Sequence, residues 1–189
     1  MRNIAIYGKS ISDFNLKFLN NLIKSLIIEL NANIYIYHKL KNHKSILDHF
    51  DIKFFNSHDV ISGKIDLLIS FGGDGTLLDT VTMIKNSNIP VLGINAGRLG
   101  FLANINQDDI LLAVKALKNR DYNLDERSLL HVENQIMLSK NNSNFALNEI
   151  TVHKKDSSSM LKIEAFLDDE FLNTYWADGL VIATPTGST

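Results

Sequence analysis

Asp66-Leu-Leu-Ile-Ser-Phe-Gly-Gly-Asp-Gly-Thr-Leu-Leu-Asp-Thr-Val81 is the stretch that decides the fold. From Asp66 to Phe71 it is a short, almost unbroken apolar run, as expected of a strand buried on both faces. Leu77, Leu78, Val81 and Ile84 then recur at helical spacing. Between the two lies Gly72-Gly73-Asp74-Gly75-Thr76. A strand, a glycine-rich turn and a helix N-terminus, in that order, make a phosphate-binding geometry. The glycines let backbone N–H groups approach an anion, and the helix end adds favourable partial charge. Asp74 is out of place in a simple cradle, because a carboxylate repels phosphate. It makes sense as the acceptor of a proton from an attacking hydroxyl, or beside a metal-bound phosphate. The plain alternative is a helix N-cap.

Working outward, residues 3–7 form a strand, and Ser12 or Asp13 caps a helix with Leu19, Leu22, Ile23, Leu26 and Leu30 on its apolar face. A strand over 32–37, a short helix over 42–50 and a short strand over 53–55 complete the N-terminal side. Beyond the central stretch, a strand over 90–95 starts at Pro90, where proline disrupts no ladder bond. A second glycine-rich turn, Ala96-Gly97-Arg98-Leu99-Gly100, follows. Asp108 or Asp109 opens a helix with Ile110, Leu111, Val114 and Leu117 on one face. This alternation predicts a doubly wound, mostly parallel α/β domain over residues 1–121. Ligands of such sheets sit beyond the carboxyl ends of the strands, the edge that both glycine-rich turns occupy.

Near Tyr122 the period changes to two, over 135–139, 145–153, 161–167, 170–176 and 180–183, with Asp168-Asp169 as a hairpin turn. Residues 122–189 therefore read as the start of an all-β, sandwich-like domain with too few strands to close. The expectation is a C-terminally truncated chain.

Bulk properties narrow the classes. The chain is 45% hydrophobic and 21% charged with a formal charge of −2, so electrostatics points to neither nucleic acid nor an anionic membrane. The absence of cysteine excludes disulfides and thiolate metal sites and suits a reducing compartment. Neither a signal peptide nor a bilayer-spanning run is evident, so a cytoplasmic protein is expected. His38, His43, His49, His58, His131 and His153 show no metal-ligand spacing. A GxSxG elbow and a Walker A lysine are both missing, which disfavours triad hydrolases and P-loop NTPases.

Gly72-Gly-Asp-Gly-Thr76, Leu92-Gly-Ile-Asn-Ala-Gly-Arg-Leu-Gly-Phe-Leu102, Leu147-Asn-Glu149 and Asp178-Gly-Leu-Val-Ile-Ala-Thr-Pro-Thr-Gly-Ser-Thr189 together resemble the NAD kinases in order and spacing, over essentially the whole chain. Diacylglycerol and sphingosine kinases share the first motif; the other three are far more specific. The resemblance implies transfer of the γ-phosphoryl group of ATP, carried with Mg2+, to the 2′-hydroxyl of the adenosine ribose of NAD, giving NADP. On the family pattern Asp74 is the base, Gly72, Gly73, Gly75 and Thr76 lie against phosphate, and Asp74 and Gly75 also border NAD. Asn148 and Glu149 correspond to the pair that holds ribose hydroxyls, and Asp178 to a residue that helps hold the nicotinamide end, from the same or a neighbouring subunit. Thr186 and Thr189 offer hydroxyls to ligand edges. Phe101 is either a stacking face for adenine or core filling, and Arg98 either assists a phosphate or is an exposed loop residue. Asn95, Gly97 and Gly100 shape the same turn, and Lys154-Lys155 reads as a solvated loop.

The family further implies a homodimer or homotetramer, with magnesium arriving on ATP and no cage of protein side chains. Beyond Thr189 the family pattern continues with a small residue and a tyrosine. Two rivals stand beside this reading: a lipid kinase built on the shared first motif, and a non-catalytic module that senses NAD or NADPH.

Overall fold

The computed structural model describes residues 2–9, 12–43, 50–56, 61, 63–96, 100–133, 144–155 and 159–188. They fall into two compact units, Met1–Glu126 and Arg127–Thr189.

The first unit is a five-stranded parallel sheet in the order β3-β2-β1-β4-β5, formed by β1 (Asn3–Tyr7), β2 (Asn33–Tyr37), β3 (Ile52–Phe55), β4 (Leu67–Gly72) and β5 (Val91–Asn95). Successive residues of β1 enter different cores. Ile4 and Ile6 pack with the helices α1 (Asp13–Leu30) and α3 (Ile110–Asn119), while Ala5 and Tyr7 pack on the other face with Tyr37, Phe55, Ile65 and Leu68. A strand whose two faces are both covered is apolar at nearly every position, which is why β1 and β4 read as near-continuous hydrophobic runs, with Ser70 of β4 the buried polar exception.

The helices follow their caps. Ser12 starts α1, its hydroxyl accepting from the Asn15 amide at 3.4 Å, and Asn31 ends it in the left-handed conformation, with its amide bonded to the Ile27 carbonyl. Leu19, Leu22, Ile23 and Leu26 are buried as the spacing predicts. A 3-10 turn, Gln107–Asp109, leads into α3, where Ile110, Val114 and Leu117 are buried but Leu111 is 60% exposed. The sequence expectation that Leu111 joins the inner face is thus corrected. The stripe runs at i, i+4 and i+7, and Leu111 is rotated about 100° from Ile110, off the edge of that stripe.

Between β2 and β3 the described residues form a 3-10 helix, His38–His43; most of the helix expected over 42–50 lies outside the described residues.

The second unit contains antiparallel pairs: β6 (Leu130–His131) with β7 (Phe145–Ala146), β8 (Glu149–His153) with β11 (Gly179–Ala183), and β9 (Leu161–Leu167) with β10 (Glu170–Ala177). Asp168 and Asp169, both at positive φ (51° and 65°), form the two-residue turn between β9 and β10. The strand expected over 145–153 is broken at Leu147-Asn148, and the one expected over 135–139 lies outside the described residues. An α/β unit followed by antiparallel β structure is the fold class that the sequence indicates. Among the described residues, no helix is long and apolar enough to cross a membrane.

Candidate functional site

In the first unit the chain runs β1, β2, β3 outward to one side and β4, β5 to the other. The order reverses between β1 and β4, and a sheet of this kind opens its ligand crevice beyond the carboxyl ends of those two strands. The Gly72–Thr76 turn stands there.

Helix α2 (Asp74–Ile84) begins directly after β4 with Gly73 as its N-cap residue. The Gly73 carbonyl accepts from the amides of Thr76 (2.9 Å) and Leu77 (3.2 Å). A methyl group on Gly72 would collide with the Thr76 side chain, so Thr76 folds back over that glycine. A methyl group on Gly73 or Gly75 would meet no other described atom within 4 Å. Protein packing thus accounts for Gly72, while Gly73 and Gly75 border open space at a helix N-terminus, where an anion finds free N–H groups.

Asp74 is not the N-cap. It is the first helical residue, and its carboxylate reaches across to the second motif. Oδ2 accepts from the Phe101 amide at 2.7 Å, and Oδ1 accepts from the amides of Leu102 and Ala103, both at 3.1 Å. Partial burial pushes the carboxyl up, but the three amide bonds from Ala103, Phe101 and Leu102 outweigh it and hold Asp74 below the ordinary carboxylate range. Asp74 is therefore ionised at neutral pH. With two acceptor sites on each oxygen, the donors among the described residues fill Oδ1 and leave one site on Oδ2 open.

Phe101 is 70% exposed, which settles one alternative: it is not core filling. Asn95, at the end of β5, is buried, and its amide donates to the Ile105 carbonyl at 2.7 Å. Gly97 and Arg98 lie outside the described residues. A polar cleft of about 680 Å3, lined in part by Ser12, Asn15, Asn95, Gln107, Asp108 and Asp109, lies close by without including Asp74. Its walls are held by hydrogen bonds from Asn15 Nδ2 to the Ala96 carbonyl (2.6 Å) and from Gln107 Nε2 to Asn15 Oδ1 (2.9 Å). Amides and carboxylates suit a neutral hydrogen-bonding ligand surface better than a phosphate.

Lys9 escaped the sequence reading. Tyr7 pairs with Ser70 in register, and just beyond that pair a methyl on Gly8 would stand 3.1 Å from the Phe71 carbonyl. The Lys9 ammonium forms an ion pair with Asp79 of α2 and is more than half exposed. The signal in the sequence was Gly8-Lys9 directly after the first strand, a cation at the carboxyl edge of the sheet. Burial, then the Asp79 carboxylate, then Tyr37 push the hydroxyl of Tyr7 far up, so Tyr7 stays neutral beneath this pair.

In the second unit, Asn148 and Glu149 meet the Thr184–Gly187 turn. The Asn148 carbonyl accepts from the Thr184 amide at 2.8 Å, and Glu149 pairs with Ala183 across the ladder. The Thr184 hydroxyl is consumed internally, donating to the Leu147 carbonyl (2.5 Å) and accepting from the amides of Thr186 (3.2 Å) and Gly187 (3.3 Å). Gly187 packs so tightly on the Asn148 backbone that no side chain fits there. This docking is what breaks the expected strand at Leu147-Asn148. Glu149 is exposed, and Asn148 Oδ1 is buried without a hydrogen-bond partner, an orphan acceptor of the kind a ligand donor satisfies.

Asp178 is not part of this group. It flanks the other end of β11, where Gly179 pairs with His153, roughly 13 Å from Glu149 by strand rise. Its carboxylate is ion-paired with Lys154 at 2.6 Å, so Lys154 is not merely a solvated loop residue. Thr189 lies outside the described residues.

Residues 20–122 match the ATP-NAD kinase N-terminal domain and residues 147–189 the ATP-NAD kinase C-terminal domain. A NAD kinase of Flavobacterium psychrophilum is 45% identical over 174 residues, covering 91% of this chain and 57% of the relative. One from Flavobacterium johnsoniae is 40% identical, covering 98% of this chain and 64% of the relative. The chain thus spans somewhat under two thirds of the length of these relatives. Among solved structures, yeast NADH kinase complexed with NADH superimposes with a TM-score of 0.79 at 26% identity, covering all of this chain and 59% of the other. On the match of its sequence to both domains, the chain belongs to the ATP-NAD kinase family.

Proposed function

We propose that this chain carries the chemistry of an NAD kinase, transferring the γ-phosphoryl group of Mg·ATP to the 2′-hydroxyl of the adenosine ribose of NAD. The observation that carries the reading is Asp74: an ionised carboxylate at the start of a helix, on the ligand edge of the sheet, with one acceptor position of Oδ2 open beside two unobstructed glycines.

Phosphoryl transfer is catalysed mainly by positioning and charge neutralisation, so a weak base suffices if it is correctly placed. Oδ2 accepts the hydroxyl proton and aligns the ribose oxygen for in-line attack. Gly72, Gly73, Gly75 and Thr76, at the N-terminus of α2, lie against phosphate. Lys9 adds a cation at the same edge, released from Asp79 as phosphate arrives. Among the described residues no three His, Asp or Glu side chains cluster as a metal cage. Magnesium enters as part of the nucleotide, which asks at most one or two carboxylates of the protein.

The resemblance also supports dividing the chain at 121/122 into a nucleotide-binding domain and the beginning of an NAD-binding domain. There Glu149 accepts from ribose hydroxyls, and the orphan Asn148 Oδ1 takes a further donor. Thr186 and Thr189 meet polar edges of the ligand, Asp178 the nicotinamide end, and Phe101 the face of adenine. We place the enzyme in the cytoplasm as a homodimer or homotetramer. The exposed Phe166, Leu167, Phe171, Leu172 and Trp176 of the β9–β10 hairpin support self-association.

Asp74→Asn tests the assignment. NADP formation drops by a factor of about 10²–10⁴, the usual contribution of a positioned base, while NAD affinity changes far less. An Asp74→Asn protein as active as the wild type would remove Asp74 from the chemistry.

A further inference from the structure

The segment after β5 must leave the sheet and return to it. Ile105 bridges back to Ile94, with its own amide donating to the Gly93 carbonyl at 3.4 Å. Between these points the amides of Phe101, Leu102 and Ala103 belong to no helix or strand, and backbone donors need partners. One side chain supplies all three partners, the Asp74 carboxylate.

The two ends of this turn are held differently. Ala103 is fully buried, and its Cα lies 2.9 Å from where a methyl on Gly93 would stand, so packing fixes it. Phe101 is 70% exposed, and no burial of its ring holds it. Its backbone is tied to the rest of the unit by the bond to Asp74 Oδ2. Gly100 completes the fit. A methyl there would fall far inside van der Waals contact of both carboxylate oxygens, although its φ is not of the left-handed kind that excludes a side chain.

We propose that Asp74 is the positioning residue of the Gly100–Ala103 turn as well as the proton acceptor, Oδ1 clamping the turn while Oδ2 orients Phe101 and meets the substrate hydroxyl. The two glycine-rich motifs then act as one unit, and the placement of Phe101 against the base of the dinucleotide depends on a carboxylate 27 residues earlier. The role in substrate positioning rests on the NAD kinase reading; the clamp itself does not. One consequence concerns the usual isosteric variant. Asn at position 74 keeps an oxygen for Leu102 and Ala103 but turns an NH2 group against the Phe101 amide, so it impairs base and clamp together.

Gly100→Ala separates them, because it expels the carboxylate from the turn and leaves it chemically intact. The test is residue-resolved amide hydrogen exchange on the full chain, with the β4 amides as the control for folding. In the wild type the amides of Phe101, Leu102 and Ala103 exchange about ten- to a hundredfold more slowly than free amides, the range for bonds to a charged acceptor. Gly100→Ala loses that protection at all three, and Asp74→Asn loses it first at Phe101. In steady-state assays Gly100→Ala raises the KM for NAD and lowers kcat, each by about tenfold, with the protection of the β4 amides retained. Unprotected 101–103 amides in the wild type, or full protection retained in Gly100→Ala, overturn the clamp. Protected amides in a protein that forms no NADP leave the clamp standing and remove the kinase reading instead.

Discussion

Asp74 is placed by a sheet buried on both faces, whereas Asn148 and Glu149 are placed by a turn. In the first unit, the strands that carry the ligand edge lie between two apolar layers, with Ile4, Ile6, Ile69 and Phe71 almost wholly excluded from water. In the second, Leu147 is the buried hydrophobic residue among those described, and the site is ordered by the hydroxyl of Thr184 and the close fit of Gly187. The difference teaches where each unit is vulnerable. A core transmits damage to everything it supports, while a turn fails locally.

Phe71→Ala is the strongest way to break this contrast. Removing a fully buried ring one residue before the Gly72–Thr76 turn costs about 3–5 kcal/mol, read as a lowered urea midpoint for the first unit. A loss under about 1 kcal/mol would mean that the core does not set the ligand edge. Thr184→Val is the matching change in the second unit. It takes the hydroxyl from the Leu147 carbonyl and the Thr186 amide, while the Gly187 amide keeps its 3.1 Å bond to the Thr184 carbonyl, and it costs about 1–3 kcal/mol, seen as faster exchange of the Thr186 amide with β4 unaffected. Loss of β4 protection in the same variant would show that the two units do not respond separately.

The smallest effect is at Asp66, whose carboxylate accepts from the amides of Asn3 (3.0 Å) and Arg2 (2.7 Å) and fastens the start of β1 to β4. Those bonds, Asn3 first, lower its pKa, so the folded value lies below the unfolded value of about 3.9. The stabilisation is therefore fully present above the unfolded value and fades as pH falls through the folded one. Asp66→Asn flattens the acid limb of the stability curve over that window. An acid limb identical to the wild type's would deny Asp66 a part in it.

The same contrast governs what could be read from the chain. The β1 and β4 strands were legible because double-sided burial leaves an apolar run, and Asp168-Asp169 because a two-residue turn needs residues tolerant of positive φ. Leu111 misled because a helical face four residues wide shares its edges with solvent. The break at Leu147-Asn148 was hidden, since it is made by a turn nearly 40 residues later. Asp74 was recognised as unusual, yet its three amide partners left no trace in the sequence; backbone donors are the same in every residue. Lys9 became visible only through its ion pair with Asp79 of α2.

The most direct measurement follows the label from [γ-³²P]ATP with magnesium when the chain is given NAD and diacylglycerol together. Label recovered at the 2′-position of NADP, and lost in Asp74→Asn, is the predicted result. Label in the lipid with none in the dinucleotide would contradict the account.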